Sequence, residues 1–158
     1  MRKLIIQADD FGYAKEFNRG ILEALKAGMV TSVSVLVNHK FADPKLLADF
    51  KGSISLHLEI SPEVGESSKL SQKTINDQWR KFNELFGKNP THFDRHKASP
   101  CLEDAARPFI LELAQKYNLP VRAMGEKDRQ FLRAKGIKTT DHFIFSYGPK
   151  NLEDILSA

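Results

Sequence analysis

The sequence is poor in cysteine, in long apolar runs and in clustered charge. Its single cysteine, Cys101, excludes an internal disulfide. No apolar run approaches the length of a bilayer span. Met1-Arg2-Lys3 leads directly into a strand-like segment, without the apolar region and cleavage site of a signal peptide. These absences predict a cytoplasmic protein with no membrane partner. Lys and Arg outnumber Asp and Glu by 24 to 20, a net charge of +4, but the cations are scattered and not interleaved with aromatics. No nucleic-acid partner is expected. Low-complexity tracts and internal repeats are also lacking, which leaves no basis for a linker, solenoid or disordered reading.

What is present is an alternation of strand-like and helix-like segments. A chain of 158 residues fits one domain with its own core, and residues 1–158 are expected to form a single β/α unit. Leu4 to Gly12, LIIQADDFG, reads as a first strand ending in two adjacent carboxylates. Phe17, Ile21, Leu22, Leu25 and Met29 follow at helical spacing, with Gly28 at the helix end. Thr31 to Asn38 is β-branched and nearly free of charge, as in a strand buried on both faces. A short helical stretch from Asp43 to Phe50 leads to a third strand, Ser53 to Ile60, with Ser55, His57 and Glu59 on one face. After a loop at Pro62–Ser68, Ile75, Trp79, Phe82, Leu85 and Phe86 trace a helix stopped by Gly87 and Pro90.

Thr91 to His96, THFDRH, is a short fourth strand with His92, Asp94 and His96 on one side. Phe109, Ile110, Leu113, Ala114 and Tyr117 mark another helix, and Val121 to Met124 a fifth strand. Gly125 to Lys138 is charged and ambiguous; His142 to Tyr147 suggests a sixth strand and Leu152 to Leu156 a terminal helix. The alternation predicts a β/α protein with a largely parallel sheet, whose active site gathers at the C-terminal ends of the strands.

Asp10, His57 and His96 fall at or near three such ends. One carboxylate and two imidazoles make a facial set for a divalent cation, with positions left for water and substrate. Asp9, beside that ligand, would act as general base on the bound water. Asp94, two residues before His96, would hold an imidazole in the required tautomer. Each residue also has a plainer reading: Asp10 as a turn or helix N-cap, His57 as a core histidine, His92 as a shaper of the strand entrance. His39 and His142 read as solvated surface residues.

LIIQADDFG, NRGILEALKAGMVTSVSVLVN, SLHLEI and FGKNPTHFDRH together resemble the YdjC-like (ChbG/HpnK) carbohydrate deacetylases from Lys3 to Met124, in the family's own order. The resemblance implies a β/α barrel of the glycoside hydrolase/deacetylase type that removes acetyl groups from N-acetylated sugars such as chitooligosaccharides. By match to the family's motifs it implies Asp10, His57 and His96 as metal ligands and Asp9 as the base. It implies Mg2+ as the ion, while two histidines also suit Zn2+.

Two departures stand out. Where the family runs roughly HxDSHxHVH, this chain reads HFDRHKASP, with Arg95 for the serine and Lys97, Ala98 and Ser99 where further imidazoles are expected. Lys97 would put a cation near the substrate or oxyanion, or be solvated. The chain also stops at Ala158, before the segment matching the family's Cys-His-Pro, whose histidine is a candidate proton donor; Asp9, His92 or a group from a partner subunit would take that part. The expectation is therefore a partial or open barrel of about six strands, with edges that a homodimer would cover. The function expected is metal-dependent N-deacetylation of a small sugar. The alternative is a metal- or carbohydrate-binding relative that has lost turnover.

Overall fold

A computed structural model describes residues 3–60, 68–96 and 100–144. Four strands, β1 (Gln7–Phe11), β2 (Ser32–Val35), β3 (Ser53–Leu58) and β4 (Phe93–Arg95), form one parallel sheet in the order β1-β2-β3-β4. Helices α1 (Lys15–Lys26), α2 (Ser68–Phe86), α3 (Pro100–Lys116) and α4 (Glu126–Ala134) alternate with them. Parallel strands in sequential order, joined by helices except for a 3-10 segment between β2 and β3, are the β/α arrangement that the alternating pattern predicts. Among the described residues no helix is long and apolar enough to cross a membrane.

Strand alternation divides the sheet into two chemically different faces. Val33, Val35, Ile54, Leu56, Leu58 and Phe93 point to one side and share a core with Ile21 of α1, Ile75 and Phe82 of α2, Ile110 and Leu113 of α3 and Leu132 of α4. Trp79 of α2 stacks on Tyr117 at 4.5 Å, joining α2 to the end of α3. The opposite face carries Gln7, Ser34, Ser55, His57 and Asp94, which hydrogen-bond to one another. Ser34, Ser55, His57 and Asp94 are almost wholly buried. The second strand is thus buried on both sides, but one of its sides meets polar groups.

Several segments differ from expectation. Leu4, Ile5 and Ile6 precede β1 and are exposed, so the strand begins only at Gln7. Phe17 and Met29, expected in the buried stripe of the first helix, are also exposed. Asp43–Phe50 contains a 3-10 turn, Pro44–Leu47, in which the Asp43 carboxylate accepts from the Lys45 amide at 3.0 Å. The expected fifth strand shrinks to a single parallel bridge between Phe93 and Val121, because the chain at Val121–Met124 turns into α4, which resolves the ambiguous Gly125–Lys138 segment as a helix. Residues 142–144 are not a strand. The remainder of the expected sixth strand, the terminal helix and the Pro62–Ser67 part of the loop lie outside the described residues.

The turn after β1 has little room. Gly12 has φ +103°, and a Cβ there would lie 2.9 Å from Ala42 Cβ and 3.0 Å from the Leu36 carbonyl oxygen. Gly12→Ala therefore meets backbone strain and a collision together, and is expected to cost about 2–4 kcal/mol. Urea unfolding should show a lowered midpoint with an unchanged slope; a midpoint equal to wild type would contradict this.

Candidate metal centre

The two carboxylates of β1 reach the same cluster because the strand is not regular where they sit. Pairing with β2 slips between Ala8 and Phe11, and Asp10 has φ +66°, in the left-handed region. Strict alternation would send Asp9 and Asp10 to opposite faces, and the bulge removes that constraint. The Tyr13 amide donates to the Asp10 carbonyl at 3.1 Å, so Asp10 also makes the turn that the plainer reading expects. Its side chain nevertheless has another role. Asp10 Oδ1 lies 3.2 Å from His57 Nε2 and 2.8 Å from His96 Nδ1. One ligand atom from each of Asp10, His57 and His96 falls within 4.8 Å of the others. The three residues arrive from the ends of β1, β3 and β4, as the strand-end argument requires.

His57 is held from both ends. Its Nδ1 is 2.5 Å from Asp94 Oδ1, while Nε2 faces Asp10. Burial is the largest influence on its pKa and acts downward, but hydrogen bonds to Asp10 and Asp94 overcome it and raise the imidazole to about 9. Asp10 is held below its ordinary value, chiefly by the His57 hydrogen bond, with burial opposing and His96 assisting.

Asp94 is the floor of the cluster. It accepts from Ser34 Oγ, from Ser55 Oγ at 3.1 Å, from Gln7 Nε2 at 2.5 Å and from His57 Nδ1. Burial, again the largest influence, pushes its pKa upward, but the bond to His57 and the charges of His57, Arg122 and His92 hold it below the usual carboxylate range. A buried carboxylate with this many donors fixes the imidazole that it touches.

The other predicted residues separate. His92 Nε2 is 2.8 Å from Gln7 Oε1, and its Nδ1 is 3.0 Å from Thr91 Oγ1. Burial, together with the Arg122 charge, lowers its pKa against the pull of Asp94 and Asp9. The neutral ring donates from Nε2 to Gln7 Oε1, while the single Thr91 hydroxyl proton is directed to the Ile54 carbonyl at 3.0 Å. It braces Gln7 and stands outside the Asp10–His57–His96 group. Arg95 turns toward α4, 3.7 Å from Asp128. Lys97 lies outside the described residues. His142 is exposed, whereas His39 is half-buried and pairs with Glu59 at 3.1 Å, so it is not the free surface residue expected.

Two site residues escaped sequence reasoning. Arg122 Nη1 lies 2.9 Å from both carboxylate oxygens of Asp9, and Gln7 Nε2 donates to Asp9 Oδ1 at 2.8 Å. Burial, its largest influence, would lower the Arg122 pKa, but Asp94 and Asp9 raise it overall. Asp9 is thus clamped beside Asp10 by a cation and an amide. A polar residue inside LIIQADD and a cation inside VRAM were the only signals for this pair.

The sequence profile of the YdjC-like protein family matches residues 3–157, nearly the whole chain. The chain belongs to the YdjC-like family. Among YdjC-like relatives, a carbohydrate deacetylase from Thermoanaerobacter pseudethanolicus is 28% identical over 93% of this chain and 70% of its own length. One from Clostridium beijerinckii is 29% identical over 92% and 69%. A chitooligosaccharide deacetylase from Proteus mirabilis is 28% identical over 89% and 66%. The chain therefore spans about 70% of the first two relatives. The YdjC-like fold also superposes, with a TM-score of 0.76 and 24% identity, on the crystal structure of an Enterococcus faecalis V583 protein assigned to cellobiose-phosphate cleavage, over 99% of this chain and 74% of that one.

Proposed function

We propose that this chain is a metal-dependent hydrolase that removes the acetyl group from a small N-acetylated sugar of the chitooligosaccharide type. The observation that carries the proposal is the convergence of Asp10, His57 and His96 within 4.8 Å, with Asp9 clamped next to them. Relatives named carbohydrate and chitooligosaccharide deacetylases support the same reading.

The donor set suits a divalent cation, one hard carboxylate with two imidazoles, compatible with Mg2+ and well suited to Zn2+. Such an ion would polarise the amide carbonyl and lower the pKa of a water molecule. The protein supplies the rest. Asp9 accepts a proton from the attacking water, and Arg122 and Gln7 keep its carboxylate in one orientation as it does so. The water oxygen bonds to the acetyl carbon, the carbon–nitrogen bond breaks, and the proton passes from Asp9 to the departing amine, leaving a free amino sugar and acetic acid, which keeps the second water proton until it ionises to acetate. Asp94 keeps the His57 proton on Nδ1, so that Nε2 is the nitrogen available at the site.

Asp9→Asn preserves the shape and most hydrogen bonds but cannot take a proton. It should lower acetate release from diacetylchitobiose by 10²–10⁴-fold, the usual contribution of a positioned general base, with little change in metal content. Turnover within a few-fold of wild type would remove Asp9 from this role. Metal retention without acetate release by wild type, on any N-acetylated sugar, would favour a binding protein over an enzyme.

A further inference from the structure

Helical spacing assigns Phe17 to the buried stripe of α1, yet it is 48% exposed, and so is Tyr13 four residues earlier. Their ring centroids are 5.3 Å apart with planes tilted by 60°. Tyr13 also lies 5.2 Å from the His39 ring and 6.4 Å from that of His96. A surface of three rings, Phe17, Tyr13 and His39, therefore begins beside the Asp10–His57–His96 group and runs outward past the start of α1. Its polar margin is fixed. Glu59 pairs with His39 at 3.1 Å, and the Glu59 backbone is held by both polar atoms of the Gln78 amide, at 3.0 Å and 2.8 Å.

Large half-exposed aromatic rings forgo the stabilisation that burial would bring, and positions that break a local pattern tend to be functional ones. The faces of such rings are electron-rich. A gluco-configured, β-1,4-linked pyranose has equatorial substituents, so each of its faces shows axial C–H groups with slight positive charge, while its hydroxyls project at the edge. Such a ring would lie on the Tyr13 face, with Phe17, tilted by 60°, as a side wall, and offer its hydroxyls to Glu59 and His39.

We propose that the Tyr13 ring, walled by Phe17 and His39, is a stacking platform for a pyranose of a β-1,4-linked oligosaccharide, adjacent to the unit whose acetamide reaches Asp10, His57 and His96. The platform rests on the deacetylase reading for its ligand class, so its test uses a probe without an acetamide. Binding of cellotetraose and chitotetraose to wild type, Tyr13→Ala and Tyr13→Trp is measured by calorimetry, with the upfield shifts of sugar C–H protons followed by NMR. Wild type should bind both sugars. Tyr13→Ala should weaken both by roughly tenfold, the loss of one ring's contact, and abolish the upfield shifts, while Tyr13→Trp restores them. Equal affinity in wild type and Tyr13→Ala, or no binding of either sugar by wild type, overturns the platform. Tyr13-dependent binding with no acetate release from chitotetraose sustains the platform and removes the deacetylase reading instead.

Discussion

Asp94→Ala is expected to destabilise the protein by about 3–5 kcal/mol, the usual effect of removing one member of a buried, hydrogen-bonded ion pair. Asp94 is essentially inaccessible and accepts from Gln7, Ser34, Ser55 and His57. Truncation leaves all of these donors facing a cavity and the His57 charge without its nearest partner. Against a total stability of about 5–15 kcal/mol, such a loss brings the chain near the threshold of folding. Asp94→Asn, of nearly equal volume, keeps one acceptor but turns an amide toward groups that are themselves donors. It should be less costly, yet still release His57 from a single tautomer. The check is chemical unfolding of the three proteins in chelator. A loss below 1 kcal/mol for Asp94→Ala would show that the floor of the site is not the organising contact described here.

The second large effect is a pH dependence centred on His57. Its pKa rises from 6.5 to about 9 on folding of the metal-free chain. A group raised in the folded state stabilises fully below its unfolded pKa and loses that contribution as pH climbs through the folded one. Metal-free stability should therefore fall between about pH 6.5 and pH 9, by up to roughly 3 kcal/mol. Asp94 is the depressed partner in the same contact, and its contribution is lost only toward acid, so the pair is counted once. A cation has the opposite preference, because it needs a deprotonated Nε2. Its affinity should increase close to tenfold per pH unit up to about pH 9, with uptake of the ion releasing about one proton near neutrality. Titrations in buffers of different ionisation enthalpy separate these quantities. A flat affinity between pH 6.5 and pH 8.5 would mean that the ion does not displace the His57 proton.

How far the sequence led depends on what each residue needed. Asp10, His57 and His96 were legible as a group because a parallel β/α order places strand ends on one rim, whatever the details of packing. The roles of Gln7 and Arg122 were not, since they act across separations of 87 residues to Asp94 and 113 to Asp9. The bulge that redirects Asp9 and Asp10 was also hidden: alternation is the default for a strand, and nothing local in ADD states that Asp10 adopts a left-handed backbone. Val121–Met124 has strand-like residues, but tertiary context reduces it to one bridge. Phe17 failed its helical stripe for a reason that the site now suggests, since its ring lies against Tyr13, beside the candidate ligands.

The most direct measurement is divalent-metal content after dialysis against a metal-buffered solution at pH 8, for wild type, Asp10→Asn and His96→Ala. His96 is partly exposed at the rim, so its truncation should leave the fold intact by circular dichroism. One ion per wild-type chain and substoichiometric metal in both variants are expected. A metal-free wild type, or stoichiometric metal retained by both folded variants, would contradict the metal-site reading.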